Sequence, residues 1–229
     1  MEKKVVLASG RPINGVAPLA EELYLKEYGG FMLSFNGARI TRCSDNAIIY
    51  NKVIPQEVIR LIYEAVKEYP GLDLISYTDK VILSGIKSNE YTEKEAAINS
   101  MDICPVEDFP AALDFPVNKM LIPGEPSILE DLMPKLQKQY HGLLNIYRSE
   151  PFFLEIMPQN IDKAHSLQKL LNSIGLTADS MICCGDGFND LSMIEYAGLG
   201  VAMENAQPVV KESADLSQSR MMRTGFFTL

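Results

Sequence analysis

The chain has 229 residues, enough for one large domain or two smaller ones, and 47% of them are hydrophobic, so it can bury a substantial core. Its formal net charge of −9 argues against a nucleic-acid partner, because a phosphate backbone repels such a surface. No apolar run reaches the ~20 residues of a membrane span, and the opening Met-Glu-Lys-Lys-Val-Val-Leu-Ala is too short in apolar residues for a signal peptide. Cys43, Cys104, Cys183 and Cys184 form no Cys-x-x-Cys pair, and His141 and His165 form no metal-binding pattern. A reduced, cytoplasmic setting is expected.

Residues 5–8 read as a buried strand. Ser9-Gly10-Arg11-Pro12 follows, then a helix through Leu19 and Leu23. A hydroxyl and a glycine between a strand and a helix start suit an anion, and Arg11 adds a charge that can meet phosphate; an ordinary Ser cap with a surface Arg is the plainer alternative. Residues 30–35 read as a second strand ending in Asn36-Gly37, a strong hairpin signal. From about residue 45 the pattern changes. Val58, Leu61, Ile62, Ala65 and Val66 give an amphipathic helix after Pro55. Strand-like runs at 72–77 and 80–83 precede a polar helix at 90–99 and a Pro-rich acidic segment at 104–116. A strand is predicted at 117–122, a helix interrupted by Pro134 at 128–140, and strands at 143–147 and 152–157. This α+β block interrupts a βα pattern and reads as an inserted domain.

A helix is predicted from Asp162, with Leu167, Leu170, Leu171 and Ile174 as its buried stripe and Gly175 as its stop. Lys163 lies in its first turn, against the helix dipole, where it can meet an anion; a solvated surface lysine is the commoner case. Next comes Met181-Ile-Cys-Cys-Gly-Asp-Gly-Phe-Asn-Asp190, which reads as a buried strand, an acidic Gly-rich turn and a helix start. It places Asp186 and Asp190 at the carboxyl end of a strand, where open α/β sheets bind ligands and where carboxylates suit Mg²⁺. Cys183 and Cys184 read as small core residues. A strand at 199–203 and a short helix at 208–213 close the pattern.

Ser9-Gly10-Arg11-Pro12, Asn36-Gly37-Ala38, Lys163, Gly185-Asp186-Gly187-Phe188-Asn189-Asp190 and the run from Met193 to Met203 occur in this order. As a set they resemble the Cof-like sugar-phosphate phosphatases of the haloacid dehalogenase superfamily, over nearly the whole chain up to Asp215. The resemblance implies an α/β fold: a Rossmann-like core of parallel sheet, from residues 1–44 and 156–229, with an α+β cap inserted at 45–155. It implies a Mg²⁺-dependent phosphatase of small phosphorylated metabolites, sugar phosphates foremost. Ser9 and Lys163 would be catalytic, Ser9 on the transferring phosphoryl group and Lys163 neutralising its charge. Gly10, Arg11, Asn36 and Gly37 would contact substrate, and Asp186, Asn189 and Asp190 would hold the metal. Ala164 departs from the family's usual Gly.

The family's first motif, Asp-x-Asp-Gly-Thr, does not occur in the 229 residues. It would carry the aspartate nucleophile, on a strand lying between those predicted at 5–8 and 181–184. Enzymes accelerate phosphate-monoester hydrolysis by up to ~10²¹-fold, so turnover without that nucleophile is not expected. A poorly soluble or molten isolated chain is expected too. The alternatives are a non-catalytic remnant or weak phosphosugar binder, or half of a split enzyme completed by an upstream peptide. A phosphomutase needs the same aspartates and has no separate support. Residues 216–229 do not resemble the family's ending, and one added base in a suitable codon choice restores such an ending, which suggests a frameshift after Asp215.

Overall fold

The computed structural model describes residues 3–217. The chain divides into two compact units, Met1–Ile161 and Asp162–Leu229. The fold is mixed α/β with parallel pairing in both units, as the sequence pattern predicts.

The first unit opens with β1 (Val6–Ala8), which pairs in parallel with β2 (Phe31–Ser34). The crossover holds a 3-10 turn, Ile13–Gly15, and a short helix α1 (Ala17–Glu22). The helix expected directly after Pro12 is thus reduced to a turn and six residues. β2 reverses through residues 35–37 into antiparallel β3 (Arg39–Arg42), which pairs with β4 (Ile48–Asn51). Val16, Ala20, Leu25, Met32 and Cys43 form a small core here. β1 is half-buried rather than buried as expected. Among the described residues it is paired on one side only, and a parallel strand is shielded fully only when flanked on both sides. β4 belongs to this sheet, although residues 48–51 lie within the segment expected to form the insert.

The rest of this unit builds a six-stranded sheet. Its elements are α2 (Gln56–Lys67), β5 (Ile75–Tyr77), β6 (Val81–Ser84), α3 (Glu90–Asn99), β7 (Asp102–Pro105) and α4 (Phe109–Ala112). β8 (Met120–Pro123), α5 (Pro126–Gln139), β9 (Leu144–Glu150) and β10 (Phe153–Pro158) follow, and the strand order is β7-β6-β5-β8-β10-β9. Alternation sorts the side chains. Met120, Ile122, Leu154 and Ile156 pack with Ile59 and Ile62 of α2 and Leu132 and Leu136 of α5. Leu121, Phe153 and Met157 join Ile75, Tyr77, Phe35 and Ala38 in a separate cluster. Each such side chain contributes roughly 1.5–3 kcal/mol on full burial. Three expectations change. Ile59, not Leu61, faces inward on α2. β7 was not expected: it begins just before the Pro-rich acidic segment at 104–116 and runs into it. α5 runs unbroken through Pro134, which sits on its exposed side, where the carbonyl that proline leaves unpaired can meet water.

The second unit starts at α6 (Lys163–Ser173), capped by the Asp162 carboxylate, which accepts from the His165 N–H at 2.9 Å. Leu167, Leu170 and Leu171 are buried, while Ile174 is 39% exposed and ends the helix. β11 (Ile182–Gly185), a 3-10 turn Phe188–Asp190, α7 (Leu191–Tyr196), β12 (Leu199–Ala202), α8 (Pro208–Ser213) and β13 (Leu216–Ser217) complete it. The three strands are parallel in the order β11-β12-β13. β11 was expected to be buried throughout. It alternates instead: Cys183 is buried, whereas Ile182 and Cys184 are exposed, so Cys184 is not a core residue. The frameshift reading of residues 216–229 falls, from 218 onward, outside the described residues. Among the described residues no helix is long and apolar enough to cross a membrane.

Candidate active site

In the first unit the strand ends bring Ser9, Gly10 and Asn36 together. The Ser9 N–H donates to the Leu33 carbonyl at 2.9 Å, and the Asn36 N–H donates to the Ser9 carbonyl at 3.0 Å. The Ser9 hydroxyl accepts from the Arg11 N–H at 3.1 Å, a local turn that fixes the hydroxyl at the end of β1. The Arg11 carbonyl accepts from the Phe35 N–H, so two strand-end loops are tied together. Phe35 and Asn36 both have positive φ, 52° and 53°, and Gly37 follows at 102°. Asn tolerates this region better than most residues, and Gly without strain. Gly10 is required by close approach: a Cβ there would lie 2.8 Å from Asn36 Oδ1.

The second unit gathers Lys163, Asp186 and Asp190. Lys163 is only 3% exposed and forms a buried ion pair with Asp190 Oδ1. It is therefore not the solvated surface lysine that was the commoner expectation. Asp190 Oδ2 accepts from the N–H groups of Asp186 and Gly187, each at 3.0 Å. One carboxylate thus closes the Gly185–Asp190 loop on itself and on α6. Burial alone would raise the Asp190 carboxyl; the Lys163 charge and hydrogen bond and the two loop amides hold it below the usual carboxylate range. Gly185 is dictated by this closure, since a Cβ there would sit 2.5 Å from Asp190 Cβ. Asp186 is exposed at the strand end, and its Oδ2 accepts from Asn205 Nδ2 at 2.7 Å. Asn189 is exposed on the same turn.

A family profile described as haloacid dehalogenase-like hydrolase matches residues 1–220. The chain belongs to this family. A solved haloacid dehalogenase-like hydrolase from Bacteroides thetaiotaomicron is 43% identical, with a TM-score of 0.90 over 94% of this chain and 81% of that one. TM0651 from Thermotoga maritima is 31% identical, with a TM-score of 0.81 over 94% and 79%. The 5-amino-6-(5-phospho-D-ribitylamino)uracil phosphatase YcsE of Bacillus subtilis (strain 168) is 29% identical over 211 residues, 92% of this chain and 74% of its own length. This chain is thus one of the haloacid dehalogenase-like hydrolases, with a phosphatase among its relatives.

Among the described residues no three His, Cys, Asp or Glu side chains cluster to hold a metal. The donors still fit Mg²⁺, which takes one or two protein carboxylates and fills the rest of its shell with water and phosphate. Asp186 is the exposed carboxylate that suits this task. Asp190 has both oxygens engaged and acts on the loop. Neither neighbouring cysteine stands in as a nucleophile. Burial first, then Cys184 and Asp190, push the Cys183 thiol up to about 12 despite Lys163, and burial raises Cys184.

Sequence reasoning missed a polar chain that runs from a buried ion pair to half-buried Asn36. Asn36 Nδ2 donates to the Tyr147 hydroxyl at 3.1 Å, which donates to Glu155 Oε2 at 2.9 Å. Lys119 Nζ donates to Glu155 Oε1 at 3.0 Å, and both residues are buried. Burial would raise the Glu155 carboxyl, but the Lys119 charge and hydrogen bond, with the Tyr147 hydroxyl, hold it low. Burial and Glu155 raise the Tyr147 hydroxyl, which stays protonated and able to donate. The signal was available: Glu155 interrupts an apolar strand, and Lys119 directly precedes another.

Proposed function

We propose that this chain serves a Mg²⁺-dependent phosphatase of small phosphorylated metabolites, phosphorylated sugars and polyols foremost, working in the cytoplasm without nucleic acid or membrane. The observation that carries this reading is the buried Lys163–Asp190 pair that locks the Gly185–Asp190 loop. Phosphoryl transfer depends on positioning and on neutralising charge over the phosphoryl oxygens. Lys163 supplies a fixed ammonium for this task. Ser9 offers a hydroxyl, and Asn36 a side-chain amide held by Tyr147. Arg11, exposed beside Ser9, adds a cation for the ester, and Gly10 and Gly37 give the backbone close access. Asp186, with Asn189 nearby, would hold Mg²⁺, which when bound neutralises phosphoryl charge. The relative named for a phosphorylated ribityl compound supports a phosphorylated polyol as substrate. The nucleophilic carboxylate is expected from an Asp-x-Asp-Gly-Thr segment, joined in cis or supplied as a separate peptide.

The test is phosphate release from an aryl phosphate and a panel of sugar and polyol phosphates. Release is expected once such a segment is fused to the chain, is expected to need Mg²⁺, and is expected to vanish with Asp186→Asn. Release that survives Asp186→Asn would overturn the metal assignment. Mg²⁺-dependent release from the 229 residues alone would overturn the need for the segment.

A further inference from the structure

The first unit holds a cavity of about 260 Å³ between the β3–β4 hairpin, the β5–β6 turn and the chain entering β8. Arg39 is its key residue. The Arg39 Nε–H is buried and has no hydrogen-bond partner, although the side chain lines the cavity. Arg39 Nη1 donates to Asp79 Oδ1 at 3.3 Å, but Asp79 is 67% exposed and free to swing into water. A buried donor without a partner is costly, so Arg39 is under-satisfied where it lies; what an entering acceptor meets is the guanidinium edge that the exposed Asp79 now holds.

The other walls narrow the chemistry. Phe35 and Tyr77 line the cavity with ring centroids 6.1 Å apart, and Phe115 adds a third ring. Asn118 is also there, but its Nδ2 already donates to Asn51 Oδ1 and the Lys52 carbonyl. Lys119 lines the floor and is matched by Glu155. The charges around the space therefore cancel: Arg39 against Asp79, Lys119 against Glu155. A dianion would meet two carboxylates with no net positive charge to compensate. A singly charged carboxylate can replace Asp79 on the planar guanidinium fork. The volume lies just under the roughly 300–1,000 Å³ typical of drug-sized sites, which sets a small-metabolite limit.

We propose that this cavity is a second ligand site, taking a small monocarboxylate with a flat apolar body. Its carboxylate accepts from Arg39, and its body lies against Phe35, Tyr77 and Phe115. Phe35 precedes Asn36 directly, so the site borders the turn assigned to the substrate. The proposal does not rest on the phosphatase reading.

Benzoate is the probe, followed by saturation-transfer NMR on the full chain with phenyl phosphate as competitor. Saturable binding is expected. Arg39→Gln should weaken it about ten- to a hundredfold, the loss of one charge-assisted hydrogen bond. Asp79→Asn removes the competing carboxylate and should tighten binding by up to about fivefold. Ile48→Trp, at a lining position 49% exposed, should block entry without touching Arg39. Asp79→Asn and Ile48→Trp carry the test if Arg39→Gln does not fold. Asp186→Asn should leave benzoate binding unchanged, which separates this site from the catalytic one. No saturable binding, or binding indifferent to Arg39→Gln or Ile48→Trp, would overturn the site. Phenyl phosphate displacing benzoate in an Arg39-dependent way, and binding more tightly, would overturn the monoanion assignment.

Discussion

Asp190→Asn is the most informative single change. The carboxylate accepts from three donors: Lys163 on Oδ1, and the Asp186 and Gly187 amides on Oδ2, each at 3.0 Å. An asparagine has one acceptor oxygen, so it can serve only one side. Its NH₂ then faces either an ammonium or two N–H groups. The Lys163 ammonium, 3% exposed, loses the countercharge that Asp190 supplies. Breaking one partner of a buried pair costs about 3–5 kcal/mol, a large share of a typical ~5–15 kcal/mol. Urea unfolding of the chain carrying the fused Asp-x-Asp-Gly-Thr segment should show the midpoint falling by that amount divided by the slope, with the slope unchanged. Adding Lys163→Met should recover part of the loss, because it removes the buried ammonium that Asp190 neutralised. Asp186→Asn is the contrast: an exposed side chain with one bond from Asn205, expected within about 0.5 kcal/mol of the parent. If Asp190→Asn proved as stable as the parent, or Asp186→Asn the more damaging change, the division between a loop-anchoring Asp190 and an exposed Asp186 would be wrong.

Three further outcomes follow from the same geometry. Glu155→Gln strands the buried Lys119 and should destabilise by about 3–5 kcal/mol at neutral pH. The Glu155 carboxyl lies below its ordinary value of 4.5 in the fold, so its stabilisation is complete above that pH and lost as pH falls through the folded value. The gap between parent and variant in urea midpoint should therefore shrink below 4.5; a gap independent of pH would contradict the pairing. Gly185→Ala forces a methyl to within 2.5 Å of Asp190 Cβ, and an overpacking cost of about 1–3 kcal/mol should be seen in thermal melts. Ile182→Lys changes a residue 60% exposed on β11, a strand paired on one side only among the described residues. It should slow aggregation in light scattering while leaving stability within about 0.5 kcal/mol, and faster aggregation would refute the view of this edge as a liability.

The elements read most easily from the sequence were those whose signals are local. The 90–99 helix begins at Asn89, whose side chain accepts from the Tyr91 and Thr92 N–H groups, so its start is chemically fixed. The Asn36-Gly37 turn needs its positive φ values, and Asn and Gly tolerate them. Where the reading failed, the deciding partner was distant. Met181, Ile182, Cys183 and Cys184 are all apolar, so composition could not tell a strand covered on both faces from the alternating one observed. β7 straddles the start of the Pro-rich acidic stretch and went unread because its ladder depends on β6, about twenty residues earlier.

The candidate site divides along the same line. Ser9, Asn36, Asp186 and Asp190 announce themselves because acids, amides and glycines at strand ends form a pattern within a few residues. Lys163 gives only a weak local signal, its place against the helix dipole, because the carboxylate that buries it lies 27 positions later. Lys119 and Glu155 lie between these cases. The pairing of β8 with β10 places Glu155 opposite Leu121, so Lys119 becomes its diagonal neighbour on the same face. Register of that kind is not written in either strand alone. Yet a charge in an apolar strand must find a countercharge or leave the core. A charge inside one such strand and an opposite charge at the threshold of another therefore predict one another. That inference also reaches Asn36, because Tyr147 bonds the carboxylate that Lys119 holds in place and receives the amide of the Asn36-Gly37 turn.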